Sequence, residues 1–266
     1  MGRFWAFLFL LVPILGVGLF LVAADESSRP LLNHWFPVDI SEYGYVIDDL
    51  FMAILWMTGI VFVATEICLV WFMMRYDRSR NSQPVKFTHG SHTLEVVWTI
   101  LPAATLLFIA IYQMNAWANT KIRRPDEPGL TVEVVARQFE WRLRYPGKDG
   151  EFDTPDDIYH VNDLHVPVDE DILVRLKSQD VLHSFFLPNL RVKQDAVPGM
   201  DIPVWFKAKK NGAYDLVCAE LCGWGHYKMR GRLTVQSRAD FDQWLDELDR
   251  EGQRRESEAL ASSELE

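Results

Sequence analysis

The run Cys218-Ala-Glu-Leu-Cys222-Gly-Trp-Gly-His226-Tyr-Lys-Met229 decides how this chain is read. It brings two thiols, an imidazole and a thioether together on one short loop. His183 stands upstream, in Asp180-Val-Leu-His-Ser-Phe. Soft sulfur ligands with imidazole and a weak thioether suit copper that transfers electrons. A mononuclear copper site needs only one cysteine, and two could bridge a pair of ions. Structural zinc is a rival, because Cys-x3-Cys-x3-His approaches zinc-finger spacing, although zinc has little use for Met229. A disulfide between Cys218 and Cys222 is the third reading, open to any chain outside the cytosol. Residue types alone leave all three open.

Outward from this run the sequence is strand-like. Val132, Val134 and Ala136 alternate with Thr131, Glu133 and Val135, and Ile172, Val174 and Leu176 alternate with Asp171, Leu173 and Arg175. Further short runs lie at 202–208, 212–217 and 230–235, punctuated by Pro146-Gly147, Pro167, Pro188, Pro198-Gly199 and Asn211-Gly212. Strands at this spacing predict an antiparallel sandwich or barrel. Ser237-Arg-Ala-Asp240 reads as a helix cap, followed by Phe241, Trp244, Leu245 and Leu248 at helical spacing. Positions 251–266 are charged and Ser-rich, and their composition predicts disorder.

The chain has 266 residues with 27 basic and 37 acidic side chains, a net charge of −10 that argues against a nucleic-acid partner. From Lys121 onward 21 basic residues stand against 28 acidic ones, a net −7 that would attract a basic partner. The mean hydropathy of −0.04 hides an uneven distribution. Residues 4–24 contain no charge, 50–74 only Glu66, and 96–118 none. At ~1.5 Å per residue, a helix of 21 residues spans ~31 Å, enough for the hydrocarbon core of a bilayer. The first run has a competing reading as a signal peptide ending at Val22-Ala23-Ala24, but it is long for that purpose and is expected to stay as a helix. The 75–93 loop carries Arg75, Arg78, Arg80 and Lys86 against Asp77 and is expected in the cytoplasm. The acidic 25–49 stretch and everything after the third run then lie outside.

At this point the sequence resembles subunit II of the haem-copper cytochrome c oxidases. That family's signature, Cys-x-Glu-x-Cys-Gly-x-x-His-x-x-Met, is met in full from Cys218 to Met229. Asp180-Val-Leu-His-Ser-Phe, Lys193-Gln-Asp-Ala-Val-Pro-Gly199 and His92-Thr-Leu-Glu-Val-Val-Trp-Thr-Ile-Leu-Pro102 match as well, so the resemblance covers positions 46–235. It implies a membrane-anchored all-β protein: N-terminal transmembrane helices followed by a cupredoxin-like Greek-key β-barrel. The divisions expected are an N-terminal hydrophobic segment 1–24, a transmembrane hairpin 46–120, a cupredoxin-like domain 121–237, and an amphipathic helix with charged tail 238–266.

The resemblance also implies a dinuclear CuA centre. By position, Cys218 and Cys222 bridge the coppers, His183 and His226 bind one each, and Met229 and the Glu220 carbonyl are weak ligands. The Glu220 carboxylate would reach a Mg²⁺ or Mn²⁺ shared with subunit I. Glu95 matches the family's carboxylate at the cytoplasmic mouth of a proton channel, and an ordinary helix-start charge is its plainer reading. Where the family has Gln-Trp-x-Trp, this chain has Gln138-Phe-Glu-Trp141, so Phe139 takes the position that receives electrons, with Trp141 nearby.

The implied protein is a multi-pass cell-membrane subunit with its C-terminal domain outside. It would take electrons from cytochrome c, or from a cytochrome c domain of a neighbouring complex, and pass them to haem in subunit I for O₂ reduction coupled to proton pumping. Its partners would be subunit I, the other oxidase subunits and membrane lipid. The alternatives are the CuA subunit of a nitric oxide reductase and a membrane-tethered copper carrier. The acidic loop from Asp149 to Asp157 could bind Ca²⁺ but lacks the full pattern. His34, His89, His160 and His165 read as structural or surface residues, Cys68 as a small buried one, and Glu66 as a carboxylate buried against a partner subunit.

Overall fold

The computed structural model describes residues 2–24, 36–77, 83–84 and 87–263. Of the loop charges used for orientation, Asp25, Glu26, Arg29, Arg78, Arg80 and Lys86 lie outside the described residues, as does His34. The chain divides into two compact units, 1–37 with 48–115, and 38–47 with 116–266.

The first unit is helical. Helix α1 spans Gly2–Ala24, α2 Gly44–Arg75 and α3 His92–Tyr112, each long and apolar enough to cross a membrane. Helix α2 begins six residues before the apolar run does. Asp48 and Asp49 lower the hydropathy of this added turn, which is nonetheless helical. The third run ends earlier than its composition suggests. Gln113 caps α3, and the chain restarts as a short helix α4, Met114–Lys121. Pro102 inside α3 removes one backbone donor. Thr99 and Thr105 hydroxyls donate to the carbonyls of Glu95 and Leu101, at 2.7 and 2.9 Å, within the same stretch.

Helix α1 packs along α2, where Phe20 meets Trp56 edge-on at 6.1 Å. Glu66 faces this seam among Leu10, Pro13, Ile14 and Val17, with Oε2 buried and lacking a hydrogen-bond partner, so its burial is in part against its own chain. Cys68 is exposed on α2, contrary to its reading as a buried residue.

The second unit is built from ten strands: β1 Leu130–Arg137, β2 Glu140–Tyr145, β3 Ile158–Val161, β4 Asp163–Pro167, β5 Asp171–Ser178, β6 His183–Leu187, β7 Val192–Ala196, β8 Ile202–Lys207, β9 Gly212–Cys218 and β10 Arg230–Gln236. They form two five-stranded sheets, ordered β3-β2-β1-β5-β8 and β4-β10-β9-β6-β7. The sheets are mixed, which corrects the purely antiparallel expectation: β1 runs parallel to β5, and β10 parallel to β4. One core draws from both sheets, including Val132, Val134, Trp141, Ile172, Val174, Phe185, Leu216 and Leu233. Glu133 points to the opposite face of β1 from Val132 and Val134, and its buried carboxylate is held there by Arg144 at 2.7 Å and Lys177 at 2.5 Å.

Helix α5, Arg238–Ser263, closes the unit. The Ser237 hydroxyl accepts from Asp240 N at 3.2 Å and donates to its carboxylate at 2.6 Å, a reciprocal cap. Phe241, Trp244, Leu245 and Leu248 pack on the core. The helix runs well past position 251, where disorder was expected. Its tail is rich in Arg, Glu, Ala and Leu, all good helix formers, and carries i,i+4 contacts such as Gln253–Asp249 at 2.9 Å.

The acidic loop spends its carboxylates internally. Asp156 accepts from Lys148 N at 2.7 Å, while Asp153 and Asp157 hold the Arg144 guanidinium at 2.6 and 3.1 Å. That arrangement is a braced hairpin, with Asp157 Oδ1 buried and without a hydrogen-bond partner.

Candidate metal centre

Pairing of β6 with β9 places Phe185 opposite Cys218, so the start of one strand and the end of the next bring His183 and Cys218 together. The chain then loops through Cys222, His226 and Met229 before β10 begins. Cys218 N donates to Met229 O at 3.2 Å and Ala219 N to Ser184 O at 3.0 Å, closing the loop onto β6. Two glycines allow the loop to lie close to the β1–β2 turn. A Cβ on Gly223, at φ 134°, would fall 2.8 Å from Gln138 Nε2, and one on Gly225 would fall 2.6 Å from the Phe139 ring.

The four strongest candidate donors and Met229 converge. The two Sγ atoms lie 3.9 Å apart. His183 Nδ1 is 3.9 Å from Cys218 Sγ, and His226 Nδ1 is 3.6 Å from Cys222 Sγ. Met229 Sδ lies 3.8 Å from Cys222 Sγ, and the Glu220 carbonyl oxygen 3.2 Å from Cys218 Sγ. His183, Cys218, Cys222 and Met229 are buried. Both cysteines are free, with sulfurs far beyond the ~2.05 Å of a disulfide bond.

The surroundings orient these donors. Asp180 Oδ1 lies 2.8 Å from His183 Nε2. With the ring proton on Nε2, the Nδ1 lone pair faces the sulfurs, the usual way a carboxylate fixes a ligating imidazole. The other Asp180 oxygen accepts from Gln138 N at 2.8 Å, and the Gln138 amide donates to Cys222 O at 2.5 Å. Burial works against the Cys218 thiolate, yet hydrogen bonds from His183 and the main chain outweigh it and bring the thiol below its ordinary pKa. Burial and then the Cys218 charge push Cys222 up. Two thiols this close cannot both ionise easily without a compensating cation, and a bound cation supplies that compensation.

A pair of copper ions fits this donor set. Every convergent side-chain donor is sulfur or imidazole nitrogen, soft or borderline, and zinc would leave the thioether idle.

Aromatic side chains cover the site. Trp141 is completely buried, edge-on to His183 at 6.4 Å and to Phe185 at 5.6 Å, and has no surface to offer a docking protein. Phe139 is half-buried. Trp224 is 75% exposed, edge-on to Phe139 at 5.2 Å, with Lys228 Nζ 4.5 Å from its ring centroid. Leu221 and Tyr227 stand exposed on the same loop. The sequence reading overlooked Trp224, and its place inside the ligand loop was the available signal.

Glu95 belongs to the helical unit and is not part of this cluster. It is exposed in the first turn of α3, 3.7 Å from His92 Nδ1, behind the Ser91 cap. His160 and His165, read separately as structural or surface residues, come together with Asp163.

Comparisons with known proteins identify the family. Residues 130–236 match the periplasmic domain model of cytochrome C oxidase subunit II, and residues 35–116 match its transmembrane domain model. An alternative cytochrome c oxidase subunit 2 from Bradyrhizobium diazoefficiens is 28% identical, over 86% of this chain and 90% of that protein. A probable cytochrome c oxidase subunit 2 from Rickettsia bellii is 32% identical, over 73% of this chain and 76% of that protein. The crystal structure of the periplasmic domain of subunit II from Bradyrhizobium japonicum aligns with 48% of this chain and 99% of that one, at 29% identity and a TM-score of 0.44. Two consecutive domain models, and relatives matched over most of their length, leave one conclusion: the chain belongs to the cytochrome c oxidase subunit II family, as a multi-pass membrane subunit of a haem-copper oxidase whose β domain is periplasmic.

Proposed function

We propose that this subunit receives electrons one at a time from a c-type cytochrome at a dinuclear CuA centre and delivers them to haem in subunit I. The convergence of two free, buried thiols with two imidazole Nδ1 atoms and a thioether carries this reading. The family is the CuA-bearing one, and matches to cytochrome c oxidase subunits favour neither a nitric oxide reductase nor a copper carrier.

Cys218 and Cys222 would bridge the ions, His183 and His226 would each take one, and Met229 with the Glu220 carbonyl would complete the set weakly. Bound there, the copper pair supplies a one-electron relay. The protein contributes rigidity: Asp180 holds the His183 ring, the Gln138 amide holds the Cys222 carbonyl, and burial keeps water out. A frame that moves little between oxidation states keeps the barrier to transfer low. Trp224 and Phe139 form the surface above it, and Trp141 fills the space beneath His183. The Glu220 carboxylate would face a Mg²⁺ or Mn²⁺ shared with subunit I, and Glu95 would collect cytoplasmic protons. The donor is cytochrome c or a cytochrome c domain of a neighbouring complex, and lipid surrounds the helices.

Metal analysis and near-infrared spectroscopy of the purified full-length chain test the proposal. Two coppers per chain and a mixed-valence band are expected. One zinc and no copper would overturn it.

A further inference from the structure

Among the described residues, one other cluster has the makings of a ligand set, and it uses none of the side chains around the thiols. We propose that His160, Asp163 and His165 form a second metal site, for a borderline divalent cation of the zinc type.

The backbone brings these three together. Asp163 and His165 are two apart on β4, so they project from the same face. His160 lies on β3, and the chain turns between the two strands at Asn162, whose φ of 60° is left-handed. The Asn162 side chain fixes that corner by accepting from Trp141 N at 2.8 Å. One ligand atom from each of the three residues lies within 4.8 Å of the others. Small side-chain adjustments would bring them to the ~2.0–2.2 Å metal–ligand distances of a shared ion.

Two features set this group apart from incidental packing. First, His165 is buried, and its Nδ1 has no hydrogen-bond partner. A buried polar atom left unsatisfied is destabilising unless a ligand or water reaches it. Second, the ligands are already braced. The Trp244 indole of α5 lies flat on the His165 ring, with centroids 3.8 Å apart and planes 1° from parallel, and meets His160 edge-on at 5.6 Å. Thr234 donates to Asp163 Oδ1 at 2.8 Å, and His165 Nε2 lies 3.4 Å from the same oxygen.

The protonation states suit metal binding. Burial lowers the His160 pKa, so its lone pair is available at neutral pH. Burial opposes ionisation of Asp163, but His165, Thr234 and Arg232 outweigh it and keep the carboxylate charged. Two imidazoles and a carboxylate, with no thiolate, match zinc and similar ions better than Cu(I), and three protein ligands leave a position for water. The ion would sit where β3, β4 and α5 meet, joining the two sheets to the closing helix.

The test uses the full-length chain with its thiol site already filled with copper, so that added zinc cannot enter there. Zinc titration followed by metal analysis should find one tightly bound equivalent in the wild type. That equivalent should be missing from His165→Gln, from Asp163→Asn and from the half-exposed His160→Gln, which leaves the core untouched. The near-infrared band should be unchanged in any of these that folds. Zinc should raise the unfolding temperature of the wild type only. Retention of that equivalent by His160→Gln, or no tightly bound zinc in the wild type, would overturn the proposal and leave the group as a stacked, structural histidine pair.

Discussion

The helical unit and the β unit are both rich in large apolar side chains, and they use them in opposite ways. On α3, Leu106 is 67% exposed and Phe108 60%, whereas Phe185 and Trp141 in the β unit are fully enclosed. The β unit supplies its own apolar surroundings and closes a core across two sheets. The helices satisfy only their backbones internally, which is the demand a bilayer makes, and leave their side chains for lipid and neighbouring subunits. The contrast separates a part that can define geometry by itself from a part that depends on its environment. The candidate metal loop lies in the first kind, where positions can be fixed closely.

The strongest way to sharpen that contrast is to remove one thiol. Cys218→Ser should abolish the near-infrared band and the copper pair while the helical content of the chain, read by circular dichroism, stays as it was. Met229→Leu should keep copper and only shift the band and potential, because a thioether is a weak ligand. A Met229 variant without copper would show that the frame is less self-sufficient than the enclosed core suggests.

Next in size comes an apolar truncation made once in each unit. Phe185→Ala opens a cavity in an enclosed core and should cost the β unit about 3–5 kcal/mol. Leu106→Ala, made on an exposed helix face, should change the same transition by less than about 0.5 kcal/mol. Equal losses in denaturant melts of the detergent-solubilised chain would break the distinction.

Function separates the units in a third way. Glu95→Ala should slow oxygen consumption by the complex about tenfold, ~1.4 kcal/mol on the barrier, and leave reduction of the copper centre by the donor unchanged. If neither rate moves, the carboxylate serves only the helix start. The smallest effect is expected at the docking surface. Phe139→Trp should alter reduction by a soluble cytochrome c by about threefold, ~0.7 kcal/mol, because Trp224 already presents an indole beside it. Stopped-flow reduction at two salt concentrations checks this, since contacts between exposed charges weaken over ~8 Å at physiological ionic strength. No response in either condition would remove position 139 from the path.

Legibility in the sequence followed how local each cause is. Three helices could be read because hydropathy is a local sum, and their ends were misplaced because polar residues such as Asp48 can lie inside a helix and a backbone cap such as Gln113 leaves no mark in hydropathy. The inward positions of β1 and β5 followed from alternation, and Val132, Val134, Ile172 and Val174 are indeed buried. The parallel pairings could not be read, because they depend on which distant strand arrives alongside. The five candidate donors of the loop and His183 were named from residue types and the motif, and they do converge, but the Asp180 contact with the His183 ring could not be read. The His160, Asp163, His165 and Trp244 group was invisible for the same reason: a helix some eighty positions later folds back to cover two short strands.

Gln138 binds both ligand-bearing segments, through its peptide N–H to Asp180 and its side-chain amide to the Cys222 carbonyl. It is also the immediate neighbour of Phe139, on the surface a donor would touch. The proposed docking surface and the candidate metal frame therefore share one residue. If the proposed donor docks at Phe139, a shift of Gln138 would reach His183 through Asp180 and Cys222 through its carbonyl, three hydrogen bonds in all. On the proposed reading, affinity for the donor and redox potential would then be linked quantities.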